Sequence, residues 1–245
     1  MKINNISIIL VRPQLPENIG LVARALDNFG FKKLILVQPR ENWPNKKSLD
    51  SSANSKSIIN NVKVYENLNI ALSNFNYAIA TSNRKRFLNK PFYKNLSKCF
   101  NAIQVNKKIA IVFGPENSGL SNDDLMLCDS ILNIELSNSK QSLNLSHAVL
   151  LICYKLREKF LKSKNNYREN NLGNNIAKKK DFIYFMNFLE SQLKEIGFLY
   201  PKEKSKNMFN NIQTMFLRAS LSKIELQTLW GMFKKFRYYY KKNKY

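Results

Sequence analysis

Lys108-Ile109-Ala110-Ile111-Val112-Phe113 is apolar at every position after its first, and Gly114-Pro115-Glu116-Asn117-Ser118-Gly119-Leu120 follows directly. A run apolar at every position is buried on both faces of its sheet, which is the habit of a parallel sheet. The loop behind it holds two glycines and a proline, so it turns tightly and exposes backbone at the strand's carboxyl end. In parallel sheets that edge is where ligands sit.

The same pattern recurs along the chain. Ile6–Val11 is a second buried strand, and Asn18–Phe29 is a helix with Ile19, Val22, Ala23, Leu26 and Phe29 on one face, stopped by Gly30. Leu34–Val37, Val62–Tyr65, Tyr77–Ala80 and Ile131–Leu136 are predicted strands, with Leu68–Leu72 helical between two of them. Ser121–Leu127 is a helix that opens on Ser121 with Asp124 three residues on, a capping pattern. Leu143–Phe160 is a long helix whose stripe runs through Leu145, Val149, Ile152, Leu156 and Phe160. Strands alternating with helices predict an α/β domain over residues 1–161, its parallel sheet covered on both faces.

Residues 162–180 are rich in Asn and Lys and poor in large apolar side chains, which predicts a flexible basic linker. Residues 181–245 then read as a small all-helical extension: Asp181–Ile196, Lys202–Leu217, and Ser222–Tyr239 with a capping box from Ser222 to Glu225.

The chain holds 40 Lys+Arg against 17 Asp+Glu, a net charge of +23. Such an excess suits a polyanion, because lysine and arginine that neutralise phosphates release counterions. The bland alternative is compositional drift toward Lys, Asn and Ile. From Lys162 onward there are 18 basic and 6 acidic residues, a net +12. The end of the chain interleaves Lys234, Lys235, Arg237, Lys241, Lys242 and Lys244 with four tyrosines. That mixture suits unpaired RNA, whose bases stack on rings while phosphates meet cations, and it equally describes a solvated helix end.

Cys99, Cys128 and Cys153 are far apart, sit in or beside apolar runs and have no metal spacing, so they read as buried thiols in a reducing cytoplasm. Asn4 and Asn5 interrupt any signal peptide, and no apolar stretch approaches membrane-spanning length. No metal site is expected. GxGxxG, P-loop and HExxH signatures are absent. The single histidine, His147, reads as a surface or packing residue, since no serine stands in a nucleophile elbow. Asp123 and Asp124 fall in the first turn of a capped helix, where they complement its dipole.

Three further polar stretches mark the carboxyl ends of strands. Pro13 and Pro16 hold an extended loop, after which Glu17 or Asn18 starts a helix whose free N–H groups could face an anion. Gly20 lets another backbone or a ligand come close. Arg24 stands between Ala23 and Ala25, free to reach outward, unless it is an ordinary surface arginine. Thr81-Ser82-Asn83 and Gln141-Ser142-Leu143-Asn144 follow later strands in the same way, so the loops would line one pocket.

Taken in order, these segments resemble the SPOUT class of RNA methyltransferases, in its SpoU family, and within it the TrmJ-type tRNA 2′-O-methyltransferases. The resemblance rests on Pro16-Glu17-Asn18-Ile19-Gly20 with Val22–Ala25, on Phe113–Glu116 with Gly119–Asn122, on Ser142–Leu145, and on Arg218-Ala219, Leu221, Glu225 and Gly231 in the extension. It implies a parallel sheet whose C-terminal part is tied in a deep trefoil knot, and a homodimer. It also implies S-adenosylmethionine as cofactor and tRNA as substrate, at a cytidine or uridine that is the first nucleotide of the anticodon loop.

The resemblance assigns catalytic roles to Arg24, Asn18, Ser142 and Asn144. It assigns cofactor contacts to Thr81, Ser82, Asn83, Gly114, Glu116, Gly119, Ile134, Gln141, Ser142, Leu143 and Asn144. RNA contacts fall to Arg24, Arg84, Arg86, Lys234, Lys235 and Arg237. Pro115 departs from the commoner pattern, in which arginine precedes the glutamate; Arg84 and Arg86 are the candidates to replace it. Methylation of ribosomal RNA, or RNA binding without catalysis on the same scaffold, are the alternatives.

Overall fold

The computed structural model describes residues 3–83, 90–101, 107–136, 143–163 and 176–242. A short 3₁₀ turn at Ile3–Asn5 leads into β1 (Ile6–Val11), α1 (Pro16–Asn28) and β2 (Leu34–Val37). Then come α2 (Lys46–Ser51), a 3₁₀ turn, α3 (Lys56–Asn60), β3 (Lys63–Tyr65), α4 (Leu68–Leu72) and β4 (Tyr77–Thr81). Next are β5 (Phe92–Tyr93), α5 (Leu96–Asn101), β6 (Ile109–Phe113), α6 (Asn122–Met126), β7 (Ser130–Leu132) and α7 (Leu145–Ser163). Three helices finish the chain: α8 (Lys179–Glu195), α9 (Lys202–Ala219) and α10 (Lys223–Lys242).

The seven strands form one sheet in the order β3-β2-β1-β6-β4-β7-β5, and every pairing is parallel. The chain first steps outward from β1 to β3, then restarts on the other side with β4, and β6 fills the gap between β1 and β4. The crevice beyond the carboxyl ends of β1 and β6 therefore lies where the winding reverses.

Strand alternation divides the core in two. Ile6, Ile8, Leu10, Ile109, Ile111 and Phe113 face the layer of α1, α3, α5 and α7, where Leu26, Ile58, Phe100 and Ile152 meet them. Ile9, Val11, Ala110 and Val112 face Leu68 and Leu72 of α4 and Leu125 of α6. β1 and β6 are buried at every position, as continuous apolar runs require.

Two local expectations change. The predicted strand Ile131–Leu136 narrows to β7, because pairing with β4 and β5 ends at Leu132. The α2–α3 hairpin and the β5–α5 unit were not anticipated. Their apolar residues are few and irregularly spaced, and tertiary packing decides them: Ile58 and Ile59 of α3, and Cys99 and Phe100 of α5, reach the core. All three cysteines are free and buried, and burial pushes each thiol up to about 12.

The helical region has its own core, with Phe185 fully buried among Phe216, Trp230 and Phe233. Ser222 and Glu225 form the expected reciprocal cap at the start of α10. Of the expected linker, residues 164–175 lie outside the described residues, and 176–180 pack tightly. Ile176 bridges Ser222, and its carbonyl accepts from Asn76 Nδ2 at 3.0 Å. The amides of Lys179 and Lys180 donate to the carbonyls of Phe75 and Ser73. Lys179, only 3% exposed, places Nζ 2.5 Å from Oδ1 of Asp129, whose Oδ2 accepts from the Ala78 amide at 2.6 Å. Nearby, the buried Lys90 donates to the carbonyls of Met126 at 3.0 Å and Cys128 at 2.5 Å. Burial lowers the Lys90 pKa to about 8.

Candidate active site

The exit of β1 is fixed first. Arg12 adopts a left-handed backbone, φ 47°, and its guanidinium pairs with Asp124. Asp124 also completes a capping box with Ser121 at the head of α6. It is structural, as its place in a first turn implies, and it additionally holds the β1 loop against the β6 loop.

α1 starts at Pro16, one residue earlier than Glu17 and two earlier than Asn18, and Leu15 supplies no side-chain cap. The anion that faces this start is the chain's own Glu116. Its Oε2 accepts from the Gln14 amide at 2.9 Å and its Oε1 from Asn18 Nδ2 at 2.8 Å. A carboxylate there also suits the dipole of α1.

Asn18 is 4% exposed, so both ends of its amide need partners. Its Oδ1 accepts from Asn144 Nδ2 at 3.1 Å. Asn144 Oδ1 in turn accepts from the Ser146 amide at 2.8 Å and the Ser146 hydroxyl at 2.6 Å, which caps α7. Glu116, Asn18, Asn144 and Ser146 thus form one hydrogen-bond chain. It joins the loops after β1 and β6 and the head of α7, segments separated by 98 and 126 residues.

The Thr81 loop stands beside this chain. Thr81 Oγ1 donates to the Val112 carbonyl at 3.0 Å, and the Ser82 amide donates to the Leu132 carbonyl at 3.0 Å. Asn133, 7% exposed, donates from Nδ2 to the Ser82 carbonyl at 3.0 Å and to Asn83 Oδ1 at 3.2 Å. Asn133 was missed in the sequence, although a lone amide inside the apolar run Ile131–Ile134 was a usable signal. Gln14 was missed too; it takes part through its backbone, which no side-chain pattern reveals. Ile134 lines a cleft of about 520 Å³ that Leu132 and Ile152 share and Lys94, Lys155 and Lys159 rim.

Both motif glycines answer to the protein's own backbone. A Cβ on Gly20 would meet Ser51 Oγ at 2.0 Å and the Ser48 carbonyl at 2.3 Å, so the close neighbour is α2. A Cβ on Gly114 would meet the Leu120 nitrogen at 2.3 Å, because the loop folds back on itself through the bond from the Gly119 amide to the Pro115 carbonyl at 2.8 Å.

The remaining candidates divide. Leu143 is half-buried at the head of α7, and His147 is exposed one turn on. Arg24 is exposed on α1 with no partner among the described residues. Lys234, Lys235 and Arg237 are exposed on α10; Arg237 pairs with Glu195 at 3.0 Å, and Lys235 sits over the rings of Tyr238 and Tyr239. Arg84, Arg86, Gln141 and Ser142 lie outside the described residues. Among the described residues no cluster of His, Cys, Asp and Glu could hold a metal ion, and no helix is long and apolar enough to cross a membrane.

The site thus gathers three separated motifs at the reversal of a parallel sheet. Residues 5–154 match the model of the SpoU rRNA Methylase family, and residues 180–244 match that of the tRNA methyltransferase TrmJ C-terminal domain. The chain belongs to the TrmJ branch of the SpoU family. It is therefore an RNA methyltransferase.

The chain is 32% identical to an uncharacterized tRNA/rRNA methyltransferase of Haemophilus influenzae over 233 residues, covering 94% of this chain and 93% of that one. It is 32% identical to the tRNA (cytidine/uridine-2′-O-)-methyltransferase TrmJ of Sodalis glossinidius over 232 residues, covering 94% and 90%. The crystal structure of TrmJ from Z. mobilis ZM4 superposes with a TM-score of 0.83 at 28% identity, over 94% of this chain and 98% of that one. In this TrmJ-branch enzyme the hydrogen-bond chain from Glu116 to Ser146 ties together the segments that carry the family pattern.

Proposed function

We propose that this protein transfers a methyl group from S-adenosylmethionine to a ribose 2′-hydroxyl of tRNA, at a cytidine or uridine opening the anticodon loop. The observation that carries the reading is the hydrogen-bond chain Glu116–Asn18–Asn144–Ser146, which converges the three motifs at the carboxyl edge of the sheet. Relatives from Sodalis glossinidius and Methanocaldococcus jannaschii that span both regions of the chain are named as tRNA 2′-O-methyltransferases.

The donor set at this edge suits the cofactor. Thr81, Ser82, Asn83, Leu143 and the backbone around Gly114 offer hydroxyl, amide and main-chain groups, the neutral partners a nucleoside accepts. With Ile134, Gln141 and Ser142 they would hold it, in the family's knotted arrangement. When bound, the cofactor supplies an electrophilic methyl on a sulfonium, already an excellent leaving group.

The protein's part is alignment and help with the hydroxyl proton. A guanidinium offers donors and no acceptor, so Arg24 makes a poor general base. It instead orients the phosphate beside the target ribose and stabilises the developing alkoxide. Asn18 and Asn144 hold the loops that frame this exchange.

A homodimer in the cytoplasm completes the reading. Leu21 on α1 and Leu150 and Tyr154 on α7, a helix that packs against α1, are exposed at 39%, 38% and 50%, which suits a covered face between two copies. Free, buried cysteines suit a reducing compartment.

Arg24→Ala tests the assignment. Methyl transfer to tRNA is expected to vanish while calorimetric binding of S-adenosylmethionine stays near the native level. Retained turnover would remove Arg24 from the mechanism. Mapping 2′-O-methyl groups in tRNA and ribosomal RNA, with and without the enzyme, decides the substrate.

A further inference from the structure

The helical region carries a cleft that the methyl-transfer chemistry does not use. It lies between α8 and α10, holds about 640 Å³ and is floored by Leu226, Phe188 and Trp230. That volume is in the range of small-ligand sites, about 300–1,000 Å³. The Phe188 and Trp230 rings stack with centroids 4.8 Å apart and planes 13° from parallel. Tyr184 stands on the rim, 55% exposed, with Lys180 Nζ 5.7 Å above its ring. Lys223 and Lys234 flank the opening, and Asp181 and Gln227 add an acceptor and an amide.

Gly231 gives a second, independent indication. It lies inside α10, where glycine is the least favourable residue after proline. A Cβ on Gly231 would meet nothing within 4 Å, so packing inside the chain does not ask for glycine. What the missing side chain does is leave the cleft open.

We propose that this cleft captures an unpaired nucleobase of the RNA substrate, stacked on the aromatic floor, with the neighbouring phosphates held by Lys180, Lys223 and Lys234. Charge selects this occupant. The chain carries +23, and a stacked aromatic pair rimmed by ammonium groups matches a base between phosphates, the base extending the stack. Asp181 and Gln227 can meet the polar edge of a base, which an apolar peptide side chain would leave unused. The proposal rests on RNA being the substrate and assigns the helical region the task of holding an unpaired segment.

The test measures binding of a short single-stranded RNA containing 2-aminopurine, beside a blunt RNA duplex, to the full chain. Stacking in the cleft is expected to quench the 2-aminopurine fluorescence. Gly231→Leu fills the cleft without touching the helical core and should weaken the single-stranded RNA about tenfold or more, with duplex affinity unchanged. Trp230→Ala should act the same way, with circular dichroism as its folding control. Native affinity and quenching in Gly231→Leu would overturn the proposal. So would a change of oligomeric state on filling the cleft, which would make this face a contact between copies. The readout needs no methyl transfer. An enzyme that leaves tRNA unmethylated but loses single-stranded binding in Gly231→Leu sinks the proposed reaction alone; intact methylation with native binding sinks the cleft alone.

Discussion

Two polar ties hold distant segments together, and they are built from opposite chemistry. At the carboxyl edge of the sheet, Glu116, Asn18 and Asn144 link three loops mainly through neutral amides. At the opposite edge, where β4 and β7 begin, Lys179 and Asp129 fasten the helical region with a charged pair whose side chains are 4% and 9% exposed. The amide chain can part at Asn144, which is exposed, for about 1 kcal/mol, because water reaches that end. The ion pair cannot, since parting it strands a charge away from solvent. The difference assigns rigidity to the domain junction and adjustability to the edge where a substrate would enter.

The largest effect should therefore come from the junction. Asp129→Ala leaves the Lys179 ammonium nearly buried and unpaired, and the Ala78 amide without its carboxylate. Chemical unfolding should show a loss of about 3–5 kcal/mol. Asp129→Leu combined with Lys179→Met should recover much of it, because an apolar pair of similar volume needs no desolvation of charge. If the double variant is no better than the single one, the junction depends on more than charge pairing.

This contrast also explains what the sequence could tell. That the loops bearing Glu116 and Asn144 emerge at one sheet edge was legible, because the buried runs before them fix where they emerge; the hydrogen bonds that join them to Asn18 in α1 were not. Parallel order followed from the same runs. The junction was not legible. Lys178-Lys179-Lys180 looks like solvated linker charge, and only the tertiary fold sends the middle lysine inward to Asp129. Lys90 escaped notice for the same reason. Composition assigns lysine to the surface, and nothing local marks the one whose ammonium ends on two main-chain carbonyls.

Lys90 yields a smaller effect with a defined sign. Its folded pKa, lowered to about 8, lies below the ordinary 10.5, so in the folded protein the charged form is the costly one. The penalty is complete below pH 8 and is relieved as pH climbs from 8 toward 10.5. The buried thiols act in the opposite sense above their ordinary value of 9.0, because only the unfolded chain can ionise them there. The clear window is pH 8 to 9, where Lys90 should contribute a gain of about 1 kcal/mol. Stability measured across that window should rise more steeply in the native protein than in Lys90→Met. Parallel curves would show that Lys90 does not titrate there.

A finer contrast separates the two duties of Asn144. Its Oδ1 caps α7 through Ser146, and its Nδ2 completes the link to Asn18. Asparagine and aspartate cap helices about equally well, so Asn144→Asp keeps the cap. It removes the donor that Asn18 Oδ1 needs. Asn18 cannot compensate by turning its amide over, because its single Nδ2 group already serves the Glu116 carboxylate and would leave that charge facing Oδ1. Thermal unfolding of Asn144→Asp should therefore cost about 1 kcal/mol, the bond to Asn18, whereas Asn144→Ala, which loses the cap as well, should cost about 1 kcal/mol more. Any fall in methyl transfer by Asn144→Asp would then report the severed link between the loops rather than a frayed helix. Equal losses of stability in the two variants would mean that the bond to Asn18, and not the cap, is what Asn144 contributes.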